Sequence, residues 1–439
     1  MTTPIFDFVT CYLGSGVSRL HMPGHKGVGP LGCEARDITE IAGADELYAA
    51  SGIIAESERN ASALFGTGAT FYATEGSSQC VRAMLRLAMV KRVDRQTRPV
   101  ALAARNAHKA FLYAAALCDF DVEWLYPESA LDVCACPVSP EGLAERLDNM
   151  PVKPFCVFVT SPDYLGGMQD IRGLSEVCHR RHIPLVVDNA HGAYLRFLPE
   201  SRHPIDLGAD LCCDSAHKTL PVLTGGAYLH IGKDADPHFA DGAKDALSLF
   251  GSTSPSWLIL QSLDLCNARL AGDYPAALRR TIKKVGALKQ RLMGRGFELY
   301  GDEPLKLTLR GDGMALAEDL RRGGVECEYA DREHVVMMFT PENAEADYAR
   351  IEAVLVSPRP FAETPVPALP RLQRAMTVRQ AVFAPSETVS VAEAVGRVCA
   401  APTVSCPPAV PIVVSGEIVT PGAVAALDYY GIKTLRVCK

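Results

Sequence analysis

Three short stretches carry side chains whose types and order suit one chemistry. In "CDSAHKTLPVLTGG" (213–226), Lys218 follows a short apolar run and precedes a glycine pair. A lysine partly withdrawn from water there loses some preference for its charged form and becomes an amine nucleophile able to form a Schiff base. Taken alone, it is equally a lysine whose stem lies along a loop while its head reaches water. In "IPLVVDNAHGAY" (183–194), an apolar run ends in Asp188, at the edge where parallel sheets bind ligands, although an Asp-Asn pair also caps ordinary turns. In "TEGSSQCVRAMLRLAM" (74–89), Gly76, Ser77 and Ser78 open a helix whose apolar face is Val81, Met84, Leu85 and Ala88. Such a start is a phosphate site or a plain serine cap.

In combination the three narrow the choice. An anion-binding helix start, a carboxylate at a strand end and a lysine on the following segment are what pyridoxal 5'-phosphate requires. The phosphate is anchored, the aldehyde is held by Lys218, and Asp188 keeps the pyridine nitrogen protonated so that the ring accepts electrons.

The elements that must position these groups are legible as apolar runs alternating with helical patterns between about residues 60 and 230. The runs are "PVALAA" (99–104), "FCVFVT" (155–160), "IPLVVD" (183–188), "DLCCDS" (210–215) and "GAYLHI" (226–231). Between the second and third, Asp170 caps a helix with the apolar face Ile171, Leu174, Val177 and Cys178. Residues 255–295 read as mainly helical, clearest in "LRRTIKKVGALKQRL", and the proline-rich stretch 357–370 interrupts the C-terminal part of the chain. The expected class is α/β: a large domain with a mostly parallel sheet and a smaller α+β C-terminal domain. The expected division is an N-terminal arm (1–44), a large domain with a bridging helix (45–295) and a small domain (296–439).

Bulk properties remove other classes. The 439 residues are 48% hydrophobic and 22% charged, the balance of a globular protein with a sizeable core. The net charge of -7 comes without a basic block, so nucleic acid is not an expected partner. The first twenty residues lack the pattern of a signal peptide or membrane anchor, which predicts a cytoplasmic protein without a membrane partner. Fifteen cysteines, an odd number without a Cys-x-x-Cys pair, read as reduced thiols, many of them in the core, and no metal site is expected. "GVGPLG" (27–32) fits a dinucleotide fingerprint only by letter, since no apolar strand precedes it and Pro30 sits inside it.

The chain resembles the Orn/Lys/Arg decarboxylase family, pyridoxal-phosphate enzymes of the aspartate aminotransferase fold (fold type I), in the short form without an N-terminal wing domain. The resemblance runs through "HMPGHKG" (21–27), "DITEIAGADELYAASGIIAESE" (37–58), "ATEGSSQCVRAML" (73–85), "RNAHKA" (105–110) and "TSPDYLGGMQDI" (160–171). It continues through "VVDNAHGAY" (186–194), "SAHKTL" (215–220), "STSPS" (252–256) and "FAPSETVSVAEAVGR" (383–397). It implies Lys218 as the cofactor lysine, Asp188 as the pyridine partner and His108 as the imidazole stacked on the ring. It also implies Ser77, Ser78, Ser215 and His217 at the phosphate, beside Gly76, and His191 close to the cofactor. It implies a homodimer, or a higher oligomer, with the active site at the interface and Ser252 and Thr253 contributed in trans. The chain departs from the family at Asn189, where glutamate is frequent, at Asp163, where threonine is frequent, and at Tyr194.

The implied reaction is decarboxylation of lysine, arginine or ornithine to the amine, with a role in polyamine or diamine production. Candidates for holding the substrate's basic end are Glu417, in "PIVVSGEIVTPG", and Asp45 or Glu46, in "GADELY"; each is also readable as an ordinary solvated acid. The same triple serves aminotransferases and other lyases, and a cofactor-binding regulatory protein without turnover is the reading from another class.

Overall fold

The computed structural model describes residues 1–90, 96–127, 132–359, 361, 365, 367–401 and 410–439. Part of the proline-rich stretch 357–370 lies outside these residues.

In chain order the elements begin with α1 (Pro4–Gly14), α2 (Ile53–Phe65), β1 (Ala69–Ala73), α3 (Ser77–Val90), β2 (Val100–Ala104), α4 (Lys109–Cys118), β3 (Asp121–Leu125) and α5 (Pro140–Asp148). Next come β4 (Val157–Thr160), α6 (Ile171–His179), β5 (Leu185–Asp188), β6 (Leu211–Asp214), α7 (Ala216–Thr219), β7 (Ala227–Ile231), α8 (His238–Ser248), α9 (Trp257–Ala271) and α10 (Tyr274–Gly294). The remainder is β8 (Glu298–Tyr300), β9 (Lys306–Arg310), α11 (Gly313–Arg322), β10 (Tyr329–Ala330), β11 (His334–Met338), α12 (Glu345–Val354), α13 (Val378–Phe383), β12 (Ser386–Ser390), α14 (Pro421–Tyr429) and β13 (Thr434–Cys438).

Two compact units share the chain: residues 1–91 with 178–277, and residues 92–177 with 278–439. In the first, the strand order is β1-β7-β6-β5. Strands β5 and β6 are parallel, with Asp188 opposite Cys213, while β7 runs antiparallel to both β6 and β1. All five residues of β7 are buried, as are all four of β5 and of β6, so these strands are apolar apart from Asp188 and Asp214 at their ends and His230 within β7. Helix α3 covers the strands with Val81, Met84, Leu85 and Ala88, each at most 1% exposed. Burial of each larger side chain of that face contributes about 1.5–3 kcal/mol. At the amino end, Asp264 of α9 accepts the backbone N–H groups of Ile5 and Phe6, both at 2.9 Å, and so satisfies the first turn of α1.

In the second unit, β2 pairs in parallel with both β4 and β3. Helix α6 starts as its sequence predicts, with Gly173 N–H donating to the Asp170 carboxylate at 3.0 Å. The same unit holds the antiparallel sheet β10-β11-β9-β8 and the ribbon β12-β13. The C-terminal residues Val391, Val413, Val419, Leu427 and Val437 share one core with Val133, Cys134 and Leu165. For that reason the contacts do not set residues 296–439 apart as a body of their own, and the arm, large-domain and small-domain division is a proposal about modules. Nine of the fourteen described cysteines are buried and all fourteen are unbridged, so they act as small core side chains.

Candidate active site

The first unit brings together most of the residues singled out from the sequence. Strand β5 ends at Asp188 and β6 ends one residue before Ser215, so both chain ends open on one edge. The turn into α3 needs Gly76, whose φ is +74°; a Cβ there would meet nothing closer than Ser78 N at 4.0 Å, so conformation and not crowding selects glycine. Ser215 and Ser77 meet hydroxyl to hydroxyl beside the first turn of the 14-residue α3. Serine hydroxyls together with unsatisfied backbone N–H groups at a helix start suit a phosphate.

Lys218 lies on the four-residue α7, half-buried, with Nζ 3.0 Å from His191 Nε2. The pair can pass a proton between amine and imidazole. The loop after α7 folds back because Gly225, at φ +100°, runs where a Cβ would come within 2.8 Å of the Thr74 carbonyl. His217 makes a 3.0 Å hydrogen bond from Nδ1 to the Gly226 carbonyl. Burial, helped by the neighbouring Lys218 charge, holds this imidazole below its ordinary pKa. As a neutral ring with its proton on Nδ1, it presents Nε2 as an acceptor, so holding a phosphate oxygen there requires the ring to gain a proton.

Asp188 is 4% exposed. Its Oδ1 accepts from Ala190 N–H at 3.1 Å and from the Cys213 thiol at 3.7 Å. Burial raises the carboxyl's pKa, while Lys218, the Ala190 N–H and the Cys213 thiol pull it down. Among the described residues Oδ2 has no hydrogen-bond donor, which is what a pyridinium N–H needs from its partner. This free oxygen, the amine beside it in charge terms and the paired hydroxyls fit pyridoxal phosphate. Ser252 and Thr253 are exposed; Ser252 N–H donates to the Glu75 carboxylate.

The second unit holds the others. His108 lies beyond β2 and caps α4, its Nδ1 accepting Ala110 N–H at 3.1 Å, which fixes the plane of the half-buried ring. Arg105, three residues earlier, escaped the sequence reading although it opens the "RNAHKA" motif. It is fully buried, donates to the carbonyls of Pro411 and Ile412, both at 2.7 Å, and stands 3.8 Å from Glu417. Glu417 Oε2 accepts Val414 N–H at 2.8 Å. Burial raises the Glu417 carboxyl's pKa against the opposing pull of Arg105. Glu417 also lines a cavity of about 760 Å³ with Arg371 and Arg374.

Asp45 accepts five backbone N–H groups, from Glu46, Ser51, Gly52, Ile54 and Ala55, and so organises the start of α2; its carboxylate has a structural task. Asp163 is likewise turned inward, accepting from Leu165 and Gly167 N–H, and Tyr194 is fully buried in the core. Glu46 is exposed. No described helix is long and apolar enough to cross a membrane.

Comparison with known proteins agrees with this geometry. The model of "Orn/Lys/Arg decarboxylase, major domain" matches residues 3–306, and that of the family's C-terminal domain matches residues 361–435. An uncharacterized protein, YaaO of Bacillus subtilis, is 28% identical over 467 residues, covering 98% of this chain and 94% of its own. The arginine decarboxylase of the same organism is 27% identical over 460 residues, covering 95% and 91%. Among solved structures, the lysine decarboxylase LdcF of Francisella novicida superposes with a TM-score of 0.81 at 17% identity, over 100% of this chain and 81% of that one. The fold is therefore that of fold type I pyridoxal-phosphate enzymes, as expected.

Proposed function

The chain belongs to the Orn/Lys/Arg decarboxylase family, and from that premise we propose that it removes the α-carboxylate of a basic amino acid, arginine first, to give the amine and carbon dioxide. The family match across residues 3–306, which spans Lys218, Asp188 and both serines, carries this reading. Arginine takes first place because relatives covering 95% of the chain are named arginine decarboxylases; lysine and ornithine are the other substrates of the family's name.

Bound pyridoxal phosphate supplies the sink for the electron pair that the departing carboxylate leaves behind. The chain's residues do the rest. Lys218 Nζ would hold the aldehyde carbon, and His191 Nε2, 3.0 Å away, takes and returns the proton of that amine. Asp188, whose Oδ2 has no donor among the described residues, would hold the proton of the ring nitrogen. His108, its imidazole plane set by the cap on α4, would be the residue to lie against the ring. Ser77, Ser78 and Ser215 would hold the phosphate, with His217 joining them in its protonated form. Lys218 or His191 delivers the proton to Cα that completes the amine. Glu417 faces the basic end of the substrate through Oε1, the oxygen that neither Val414 N–H nor Arg105 engages.

The working unit is proposed to be a cytoplasmic homodimer in which Ser252 and Thr253 of each chain reach the partner's phosphate; their exposure supports this. Mixed dimers of Lys218→Ala and Ser252→Ala chains should then recover part of the activity that each variant lacks. The deciding assay incubates the protein with arginine, lysine and ornithine in turn and measures carbon dioxide and amine, with Lys218→Ala as control. Keto acid in place of amine would make it an aminotransferase.

A further inference from the structure

Asp214 closes β6 as Asp188 closes β5, and it is wholly buried. Its Oδ2 lies 3.0 Å from His203 Nε2 and 3.1 Å from His230 Nε2, and its Oδ1 accepts the Asn189 side-chain amide at 2.6 Å. Both imidazoles are fully buried as well. His203 Nδ1 accepts Ile205 N–H at 3.4 Å, which assigns its proton to Nε2. His230 Nδ1 faces the Thr70 hydroxyl at 2.9 Å, leaving an Nε2 proton for Asp214. Three N–H donors thus converge on one carboxylate, an arrangement that favours its charged form. Burial opposes this, yet the two imidazoles hold the Asp214 carboxyl well below its ordinary pKa. Burial also holds His230 below its usual value against the pull of Asp214, and His203 Nδ1, as the acceptor of Ile205 N–H, carries no proton, so the hydrogen-bonding pattern leaves the negative charge of Asp214 uncancelled.

The groups facing this charge from the surrounding elements are Cys80 of α3, Cys212 and Cys213 of β6 and Tyr228 of β7. Burial pushes every one of them up, so they stay neutral. Asp188 and Lys218 are the charged neighbours that remain. Burial does most to raise Asp188, Lys218 counters it, and Asp214 adds to the upward push.

We propose that Asp214 is a positioning residue whose fixed negative charge, gripped through Asn189 beside Asp188, keeps the proton on the ring nitrogen of pyridoxal phosphate. The proposal rests on Asp188 being that nitrogen's partner. Asn189 holds the two ends together: its backbone N–H donates to the Cys213 carbonyl at 3.0 Å while its side chain holds Asp214. It also gives the departure at position 189 a reason. A glutamate or aspartate reaching the same oxygen would set two carboxylates against each other and force one to take a proton, whereas an amide lets Asp214 keep its charge.

The test uses holoenzyme loaded with cofactor carrying nitrogen-15 in the ring, observed by magnetic resonance. The wild-type nitrogen should stay protonated up to about pH 9, and in Asp214→Asn the midpoint should fall by about one pH unit or more. The same variant should lose about tenfold in kcat with KM within about twofold. His203→Gln keeps a donor and the Asp214 charge; it should lower the melting temperature without moving the nitrogen signal. A folded, loaded Asp214→Asn protein whose ring nitrogen titrates as in wild type overturns the proposal. So does a wild-type nitrogen that loses its proton below about pH 8, a result that does not depend on any variant folding. Asp188→Asn separates the two claims: if that variant leaves the nitrogen signal unmoved, the pairing with Asp188 is what fails.

Discussion

Ser77 and Ser215, 138 residues apart in sequence, place their hydroxyl oxygens 2.7 Å from each other. One donates to the other, and an arriving phosphate dianion lets both turn and donate to it. Each hydroxyl lost should weaken cofactor binding by about tenfold, as expected for a hydrogen bond to a charged group. Because the two share one ligand and touch, Ser77→Ala with Ser215→Ala should cost less than the product of the single effects. Equilibrium dialysis of the apoprotein against pyridoxal phosphate measures all three.

Lys218→Ala should abolish the adduct that borohydride fixes in the wild-type protein and reduce amine formation by about a thousandfold or more. Peptide mapping of the reduced wild-type protein locates the label. A label on any peptide other than the one holding Lys218 would remove the basis of the mechanism.

Arg105 is the buried clamp between the end of β2 and the segment 411–417. Arg105→Ala leaves Glu417 buried without its counter-charge and two carbonyls without donors, and should destabilise the protein by about 3–5 kcal/mol. Arg105→Lys should recover only part of this, because a single ammonium cannot replace the planar fork that grips Pro411 and Ile412 at once. Urea denaturation of the three proteins would rank them.

Burial pushes the Asp163 carboxyl up to about 6, against the pull of the Gly167 N–H and Lys306. Its folded value lies above its unfolded one, so the stability it contributes is fully present below about pH 4 and is lost as the pH rises through about 6. Relative to Asp163→Asn, the wild-type protein should lose on the order of 2–3 kcal/mol across that window. Denaturation curves at a series of pH values between those limits, with the two proteins in parallel, give the difference directly.

Burial decides how much of the fold could be seen in the sequence. The runs around 100–104, 157–160, 185–188, 211–214 and 227–231 are strands because both faces of a covered sheet are apolar, and each appears where its residues predict. Strand β3 was hidden because Glu123 interrupts it, a half-buried residue that meets Arg146 at 2.6 Å. Strand β1, "ATFYA", was hidden because alanine and threonine at its ends give no contrast with the loop beyond it. The antiparallel direction of β7 left no trace, since a fully buried strand reads the same either way round. Lys218, Asp188, Ser77 and Ser215 could be picked out because each sits at an element end with a distinctive neighbour. Arg105 and the His203, Asp214 and His230 cluster could not: an arginine reads as surface, and three residues spread from 203 to 230 meet only once β6 and β7 have paired.

The seat that Asp264 provides for α1 fixes an order of events during synthesis. The acceptor for the N–H groups of Ile5 and Phe6 leaves the ribosome more than 250 residues after they do. Until then the first helix can lean only on α2, which follows it by some forty residues, and its first turn lacks the carboxylate cap. The first helix therefore gains its final seat only once α9 has been made, later than the neighbouring α2 against which it also packs.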